Sequence, residues 1–273
     1  MVSEKNKKSW NDGAAAYSAF NHSAKFIDRI AQDPANAFHR VTWDMIKKFF
    51  PDPRGKKICV PSSGDNHAAF AFASLGASVT SCDISENQLS SAVRVAAERG
   101  WDRSIEFVRA DTMRLDGVPD GAYDLVYTSN GVHVWIDDLQ GMYRNIFRVM
   151  KPGGVFIMYE IHPFQRPFDE KARVIKPYDA TGPFESETEI TFGWRVMDIM
   201  NAITDSGLIV KRIEEMFAEK DYEQPFFIKY SDIASGVRAT REEVDRMYDW
   251  RVNPMAALPN WISVAAVKNN AAV

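Results

Sequence analysis

The feature that most limits the fold is an alternation of strand-like and helix-like segments over residues 56–160. Five short apolar runs, each suited to a buried strand, alternate with segments whose apolar residues recur at helical spacing. The runs are KKICV (56–60), ASVTSCD (77–83), SIEFVRAD (104–111), AYDLVYTS (122–129) and VFIMYE (155–160). Strands separated by helices predict an α/β fold with a parallel sheet and right-handed crossovers.

The segments on either side of this alternation are less regular. Apolar spacing predicts one helix over residues 34–50, ended by Pro51. A KPGG turn is predicted before the fifth strand. A loop-rich stretch follows from about residue 161 to 191, and then come a helix, the strand-like GLIVKRIEEMF and a last strand over residues 261–267.

Composition narrows the class of protein. With 273 residues, 45% of them hydrophobic, the chain can bury the core of one large domain or of one domain with a cap. A formal net charge of −4 gives no overall attraction to nucleic acid. No stretch approaches the roughly 18 apolar residues of a membrane span, so we predict a cytoplasmic protein with no membrane partner. Cys59 and Cys82 lie in strand-like runs, which predicts buried free thiols and no metal site.

Polar residues follow several of the predicted strands, where an open parallel sheet binds its ligands. Asp83 lies 19 residues after Gly64, close to the spacing of about 20 residues at which an acid meets a ribose in nucleotide-binding folds. A carboxylate can accept hydrogen bonds from both hydroxyls of a ribose. The stretches at the strand ends are PSSGDN (61–66), Asp83, Ala110 with Asp111, Ser129 with Asn130, and residues 160–162.

Taken in order, these segments resemble a known family. ICVPSSGDN, SCDIS, RADTMRL, AYDLVYTSNGVHVWIDD and VMKPGGVFIMYE are similar to the class I S-adenosylmethionine-dependent methyltransferases over roughly residues 56–160. Through HPFQRPF and DWRVNPMAALPNWIS the chain also resembles an uncharacterised group of bacterial methyltransferases of the small-molecule type.

The resemblance implies a Rossmann-like, doubly wound, mostly parallel sheet of seven strands. Helices would cover both faces, the last strand would be antiparallel, and the C-terminal half would carry a cap insertion. The expected single domain covers residues 1–273, divided into an N-terminal lid and helix (1–50), a cofactor-binding core (56–160), substrate-cap elements with a later helix and strand (161–260), and the last strand (261–268).

The resemblance also assigns cofactor roles to the two acids. Asp83 corresponds to the residue that binds the ribose of S-adenosyl-L-methionine, and Asp111 to the residue that accepts a hydrogen bond from the adenine amino group. Each has a structural alternative: DISEN is a good helix-start signal that Asp83 could cap, and Asp111 could serve a turn.

Four further residues match family positions around the cofactor. Ile84 and Thr112 would pack on or bond to the adenine. Ser129 and Asn130 would face the methionine part. The product left by methyl transfer would be S-adenosyl-L-homocysteine.

The first loop departs from the family pattern of an acid followed by three alternating glycines. Those positions hold Val60, Ser62, Gly64 and Asn66. Val60 removes the acid that commonly helps to hold the cofactor's ammonium group. Gly64 keeps the central position, where a Cβ would obstruct a close approach of the ligand.

The remaining loop residues are expected to compensate. Ser62 and Ser63 supply small hydroxyl side chains, and Asn66 tolerates left-handed backbone angles. Asp65 is the hypothetical replacement for the acid missing at Val60. The predicted cofactor-binding loop therefore includes all five residues from 62 to 66.

The implied reaction is in-line transfer of a methyl group to a small-molecule acceptor. Such a reaction depends on positioning and desolvation, and it needs a base only if the acceptor loses a proton. The candidate bases are His133 and His162, with Tyr17, Glu160 and His22 as weaker candidates. WNDGAAAYSAF resembles a lid helix, which would bring Tyr17 to the site. His133 has the alternative of packing near the cofactor.

The aromatic side chains of the C-terminal half are expected to pack mostly in the core and cap. Some of them would line an acceptor pocket, which favours an apolar or aromatic acceptor. They are Phe164, Phe168, Phe184, Phe192, Trp194, Phe226 and Phe227.

Three other functions remain open in the sequence. A module that binds S-adenosylmethionine or S-adenosylhomocysteine without methyl transfer is compatible with Val60 and the missing glycines. A nucleic-acid methyltransferase is disfavoured by the acidic balance and by the lack of a Pro-Pro-aromatic signature. An NAD-dependent dehydrogenase would require three glycines in the first loop, which holds only Gly64.

Overall fold

The alternating segments form one seven-stranded sheet in the computed structural model, which describes residues 2–129, 131–169, 172–217 and 240–269. The strands of the described residues are β1 (Lys57–Val60), β2 (Ser78–Asp83), β3 (Ile105–Arg109), β4 (Tyr123–Thr128), β5 (Met150–Ile161), β6 (Phe184–Glu185), β7 (Ile190–Thr191), β8 (Leu208–Met216) and β9 (Trp261–Lys268). Strands β6 and β7 pair with each other as a separate antiparallel hairpin.

The sheet has the strand order β3-β2-β1-β4-β5-β9-β8. The first five of these strands are parallel, and β9 runs antiparallel to both of its neighbours, β5 and β8. This confirms the predicted doubly wound sheet with an antiparallel last strand. The strand order reverses between β1 and β4, and ligands bind at the carboxyl ends of the strands around such a point.

Helices cover both faces of the sheet, and each face has its own hydrophobic core. Helices α3 and α4 pack over Ile58 and Tyr127 on one face, while α6 and α7 pack over Phe156 and Val264 on the other. The described helices are α1 (Val2–Asn21), α2 (Ala24–Gln32), α3 (Arg40–Phe49), α4 (His67–Ser74), α5 (Glu86–Arg99), α6 (Leu139–Val149), α7 (Val196–Asp205) and α8 (Arg241–Met247). In the part of the chain that the structure describes, no helix combines the length and the apolar character needed to cross a membrane.

The helix predicted over residues 34–50 is wrong in its first part. A short 3-10 turn covers Pro34–Ala37, Phe38 and His39 are extended, and α3 begins at Arg40. The break has a local cause, because Asp33 caps the 3-10 turn and His39 Nδ1 accepts a hydrogen bond from the Val41 N–H at the start of α3. Two capping side chains therefore divide the apolar pattern into two elements.

The predicted KPGG turn is an irregular part of β5. This strand begins at Met150, and its pairing with β4 shifts register between Tyr123 and Leu125. A Cβ at Gly154 would lie 2.9 Å from the Lys151 carbonyl oxygen, so this position requires glycine. The stretch thus bends the strand as a bulge does, without ending it.

Cys59 and Cys82 are buried free thiols, as the sequence predicted. They lie in the neighbouring strands β1 and β2, beneath the helices of one face. A hydrogen bond with Cys82, together with burial, raises the pKa of Cys59. Both side chains thus contribute to the core as small apolar groups.

Candidate functional site

A cavity of about 300 Å³ lies at the carboxyl ends of the strands, with α1 as one wall. Its other walls come from the loops after β1 to β5, as expected for an open parallel sheet. Its lining includes Ser3, Asn6, Trp10 and Tyr17 from α1, Ser62, Gly64, Asp65, Asp83, Ile84, Asp111 and Thr112 from the first three loops, and Ser129, Gly131, Val132, Ile161 and Arg166 from the last two.

The structure brings most of the predicted cofactor residues together on this cavity. Those that line it are Ser62, Gly64, Asp65, Asp83, Ile84, Asp111, Thr112 and Ser129. Ser63 and Asn66 do not line it, and Asn130 lies outside the described residues. Residues that are distant in the chain meet here because the parallel strands β1 to β4 all end at the same edge of the sheet.

Asp83 lies on the cavity wall and has two structural contacts. Its Oδ2 accepts a hydrogen bond of 3.0 Å from the Gly64 N–H, and its Oδ1 accepts one of 2.9 Å from the Ser85 N–H. Burial raises the pKa of Asp83, and these N–H donors partly oppose the rise. Asp83 therefore holds the Ser85 N–H just before α5, but the N-cap of that helix is Ser85, whose hydroxyl accepts a hydrogen bond from the Gln88 N–H. The alternative in which Asp83 caps the helix is wrong, and Asp83 lines the cavity.

Ser63 and Asn66 shape the first loop from below and are buried. The Ser81 hydroxyl lies within hydrogen-bond distance of both side chains, and Asn66 Nδ2 donates to the Gly64 carbonyl oxygen at 3.0 Å. Asn66 has a left-handed backbone with φ of 61°. These two residues were expected to contact the cofactor, but their side chains point into the protein, where they hold the loop.

Asp65 lines the cavity, and its carboxylate is partly exposed. Its Oδ1 accepts a hydrogen bond of 3.0 Å from the His67 N–H at the start of α4, and its Oδ2 lies 3.6 Å from His67 Nδ1. Val60, in contrast, is buried. The acid that was expected to replace the one missing at Val60 is thus fixed in place by the helix that follows it.

Asp111 connects the cavity to α1. Its Oδ2 accepts a hydrogen bond of 2.8 Å from the Ser3 hydroxyl, and its Oδ1 accepts one of 2.9 Å from the Met113 N–H. The second contact is the turn role that the sequence left open. Thr112 is buried beside it, and its hydroxyl lies 2.7 Å from that of Ser62.

Helix α1 is held by hydrogen bonds to two other parts of the chain, strand β7 and the start of α5. Asn6 exchanges two hydrogen bonds of 2.8 Å with the backbone of Ile190 in β7. Asn11 Oδ1 accepts a hydrogen bond of 2.6 Å from the Ser85 hydroxyl, and Asn87 Nδ2 donates to the Asn11 carbonyl oxygen at 3.0 Å. The resemblance to a lid helix indicated this segment, but it did not reveal that Asn6 and Trp10 belong to the cavity wall.

The structure does not bring His133 to the cavity. Its imidazole is buried, Nδ1 lies 2.9 Å from Glu160 Oε2, and Nε2 lies 2.7 Å from the Tyr143 hydroxyl oxygen. Both ring nitrogens are therefore engaged within the protein. This geometry favours the alternative in which His133 packs near the site and does not act as a base.

Glu160 organises the loop after β4. Its carboxylate accepts hydrogen bonds from the N–H groups of Gly131 at 2.6 Å, Val132 at 2.9 Å and His133 at 3.0 Å. Burial opposes ionisation, but the hydrogen bond from the His133 side chain and nearby positive charge outweigh it and lower the pKa of Glu160. The carboxylate is thus occupied by structural donors.

His162 does not line the cavity either. It is fully buried, Nε2–H donates to Glu215 Oε1 at 2.9 Å, and Nδ1 accepts from the Phe164 N–H at 3.2 Å. Burial lowers the pKa of His162. His22 donates from Nε2 to the Asp65 carbonyl oxygen at 2.8 Å, which ties the junction of α1 and α2 to the first loop.

Tyr17, one of the weaker base candidates, lies on the cavity wall. Its hydroxyl oxygen would lie 3.7 Å from a Cβ placed on Gly64. The ring packs edge-on against Trp10, whose own ring contacts Trp135. Tyr17 is therefore held next to the loop that was expected to receive the methionine part.

A second cavity of about 360 Å³ adjoins the first and shares Asp65 and Ser129 with it. Its lining combines aromatic rings with two arginines, and it comes from α2, the 3-10 turn, α3 and the ends of β4 and β5. These aromatic and basic residues are Phe26, Phe38, Trp43, Tyr127, Tyr159, Arg29 and Arg40.

The aromatic residues expected to line an acceptor pocket lie elsewhere. Neither cavity is lined by the described members of that set, which are Phe164, Phe168, Phe184, Phe192 and Trp194. Phe226 and Phe227 lie outside the described residues. The N-terminal helices, the ends of β4 and β5 and the loop after β4 supply the aromatic walls beside the site, and the described part of the predicted cap does not.

Comparison with known proteins identifies a family for the segment between residues 61 and 158. Residues 61–158 match the family described as "Methyltransferase domain", which confirms the resemblance over those residues. A sterol 24-C-methyltransferase of Aspergillus fumigatus is 39% identical over 84 residues, covering 31% of this chain and 22% of that protein. An uncharacterized methyltransferase of Bacillus subtilis, YbaJ, is 26% identical over 184 residues, covering 61% of this chain and 71% of that protein.

Solved structures share the fold over most of the chain. An S-adenosylmethionine-dependent methyltransferase from Mesorhizobium loti has a TM-score of 0.60 at 23% identity, covering 82% of this chain and 96% of that one. The [4+2]-cyclase SpnF has a TM-score of 0.67 at 17% identity, covering 98% and 97%. At these identities the likeness concerns the fold, and the chain spans only 22% of the length of the sterol enzyme.

Proposed function

We propose that the protein binds S-adenosyl-L-methionine in the 300 Å³ cavity and transfers its methyl group to a small organic acceptor. One observation carries the proposal: Asp83, Asp111 and Gly64 converge on one cavity within the segment that matches a methyltransferase domain. The order of these residues along the sheet, from β3 through β2 to β1, suits an extended adenosine followed by its methionine part.

The residues on the cavity wall suit the parts of this cofactor. The Asp83 carboxylate would accept hydrogen bonds from the ribose hydroxyls, and Asp111 would accept one from the adenine amino group. Ile84 and Thr112 would pack beside the adenine. Gly64, with φ of 50°, leaves the space that a close ligand approach requires.

Val60 occupies the position at which the acid that commonly helps to hold the cofactor's ammonium group was expected. Another side chain therefore has to accept hydrogen bonds from this ammonium group. We assign this role to Asp65, because its carboxylate lies on the cavity wall and is held by the His67 N–H. Ser129 also lines the cavity and would face the methionine part. An Asp65→Asn variant that bound the cofactor as tightly as the wild type would contradict this assignment.

When bound, the cofactor supplies a sulfonium methyl group that an acceptor lone pair can attack in line. The protein contributes positioning and the exclusion of water, for which α1 closes one wall of the cavity. Where the acceptor has to lose a proton, Tyr17 is the side chain that we propose as its partner, because it lies on the cavity wall beside Gly64.

We further propose that the acceptor is apolar or aromatic and occupies the second cavity. That cavity meets the first at Asp65 and Ser129, so a molecule within it would approach the methionine end of the cofactor. Rings such as Trp43 and Tyr159 form its walls, and aromatic side chains favour flat apolar ligands.

The test combines binding with turnover. Purified protein would be titrated with S-adenosylhomocysteine by calorimetry, and then incubated with methyl-labelled S-adenosylmethionine and fractionated metabolites. We expect binding, and labelled product with at least one fraction. Asp83→Asn should weaken binding about tenfold, the value of one hydrogen bond to a charged group, whereas the exposed control Asp116→Asn should not. Binding without product from any fraction would favour a module that holds the nucleoside, and no binding would refute the proposal.

A further inference from the structure

Arg166 is the one lysine or arginine on the wall of the 300 Å³ cavity, as far as the described residues form it. It follows the 3-10 turn Pro163–Gln165, which is closed by a hydrogen bond from the Arg166 N–H to the Pro163 carbonyl oxygen. The side chain is therefore carried on a short, hydrogen-bonded segment directly after β5. It belongs to the HPFQRPF stretch, to which the proposed function assigns no role.

The charge of Arg166 is not matched by a direct partner. Within the described part of the chain, its guanidinium has no hydrogen bond and no carboxylate within the distance of an ion pair. Glu160 acts on it through its charge, but the Glu160 oxygens already accept from the N–H groups of residues 131–133. Burial lowers the pKa of Arg166. A partly buried cation without a hydrogen-bonded partner is costly, which points to an anionic ligand.

The position of Arg166 along the sheet indicates which end of the cofactor it would meet. The adenine acid follows β3, the ribose acid ends β2, and Gly64 follows β1, whereas Arg166 follows β5 at the far side of β4. Moving along this order leads away from the adenine and toward the methionine part. Gly131 and Val132, which follow β4, and Ile161, which ends β5, line the cavity with it.

We propose that Arg166 binds the α-carboxylate of the cofactor's methionine part. This proposal rests on the proposed function. The cofactor has a single carboxylate, and the described cavity wall has a single arginine or lysine to receive it. The acids on the wall, Asp65, Asp83 and Asp111, suit the ammonium, the ribose and the adenine instead. A guanidinium can hold a carboxylate through two parallel hydrogen bonds, which fixes its orientation as well as its charge.

The test compares two ligands that differ in the amino-acid part. S-adenosylhomocysteine carries the carboxylate, while 5′-methylthioadenosine keeps the adenosine and the sulfur but lacks the carboxylate and the ammonium. Calorimetry would give the affinity of both for the wild type and for Arg166→Gln. We expect the variant to bind S-adenosylhomocysteine about 10- to 100-fold more weakly, as for loss of hydrogen bonds to a charged group. Its affinity for 5′-methylthioadenosine should change less than about twofold.

Two further variants separate the charge from other effects. Arg166→Lys keeps the charge without the planar fork and should recover part of the affinity for S-adenosylhomocysteine. Arg173→Gln removes an exposed arginine that pairs with Asp169 in the same segment, and it should change neither affinity. Retained binding of 5′-methylthioadenosine shows that a variant is folded.

The experiment distinguishes a failure of this proposal from a failure of the proposed function. Equal weakening of both ligands in Arg166→Gln, or no weakening of either, would overturn the assignment of the carboxylate to Arg166. If the wild type bound neither ligand, the proposed function itself would fail.

Discussion

Glu160 Oε2 lies 2.9 Å from His133 Nδ1, and both side chains are buried beneath the loop that follows β4. The same carboxylate accepts hydrogen bonds from three successive N–H groups, those of residues 131–133. One acid at the end of β5 thus sets the path of the loop that forms part of the cavity wall.

We predict that Glu160→Gln destabilises the protein by at least about 1 to 3 kcal/mol at neutral pH, the cost of leaving one buried hydrogen-bond donor without its acceptor. The carboxylate now accepts hydrogen bonds from backbone N–H groups. The amide nitrogen of glutamine cannot accept them, and its own N–H groups would face these donors. The free energy of unfolding would be measured by urea denaturation. Glu98→Gln, on the exposed face of α5, is the control and should change it by less than about 0.5 kcal/mol.

The lowered pKa of Glu160 fixes the direction of its pH dependence. A carboxyl group whose pKa is lower in the folded state contributes stability above its ordinary value of 4.5, and this contribution is lost as the pH falls through the folded pKa. The difference in unfolding free energy between wild type and Glu160→Gln should therefore narrow in acid. A difference that grew as the pH fell would contradict this prediction.

Asp83 has the opposite shift, because burial raises its pKa. Protonation then favours the folded state: its stabilising effect is fully present below the ordinary value of 3.8 and is lost as the pH rises through the folded pKa. The protonated acid accepts fewer hydrogen bonds from a ribose. We therefore expect the affinity for S-adenosylhomocysteine to fall in acid, starting above pH 3.8, and calorimetry across pH would detect it. Asp83→Asn should remove the part of this dependence that Asp83 causes.

Gly64 and Gly117 offer a matched pair of substitutions. Both have positive φ, of 50° and 81°, so alanine at either position should cost about 1 to 2 kcal/mol of stability. Only Gly64 lies on the cavity wall, whereas a Cβ on Gly117 would meet no atom within 4 Å. Gly64→Ala should therefore also weaken binding of S-adenosylhomocysteine about tenfold, as for a clash of about 1 to 3 kcal/mol. Equal affinities in the two variants would contradict this.

Asn11 holds α1 against the start of α5. Loss of its hydrogen bonds, at about 0.5 to 1.5 kcal/mol each, should increase opening of α1 about tenfold in Asn11→Ala. Hydrogen exchange of the α1 amides and release of S-adenosylhomocysteine, followed by stopped flow, should both become faster. Lys8→Ala removes an exposed pair with Asp12 and should change neither rate.

The sequence was sufficient to predict which residues lie at the ends of neighbouring strands. Asp83 and Asp111 lie at the ends of adjacent parallel strands, so regular pairing is enough to place them on one edge. The positions of His133 and His162 depend instead on partners from other elements, Glu160 with Tyr143 and Glu215. Such contacts between distant residues leave no local signal in the sequence.

The first loop shows the same limit at a smaller scale. Small polar residues at positions 62–66 predict a tight turn, but they do not reveal which of them face the ligand. The orientation of Ser63 and Asn66 depends on Ser81 in β2, whose hydroxyl forms hydrogen bonds with both side chains and holds them inside the protein. Trp43 and Phe38 line the second cavity, and the single continuous helix predicted over residues 34–50 gave no indication of this.

The docking of α1 has a consequence for how the chain reaches its folded state. Asn6 binds the backbone of Ile190, which is 184 residues later in the chain. Contacts over such separations carry a large loop-closure cost and tend to form after local ones. Helix α1 would therefore dock late, so that the cavity is completed only after the hairpin of β6 and β7 has formed.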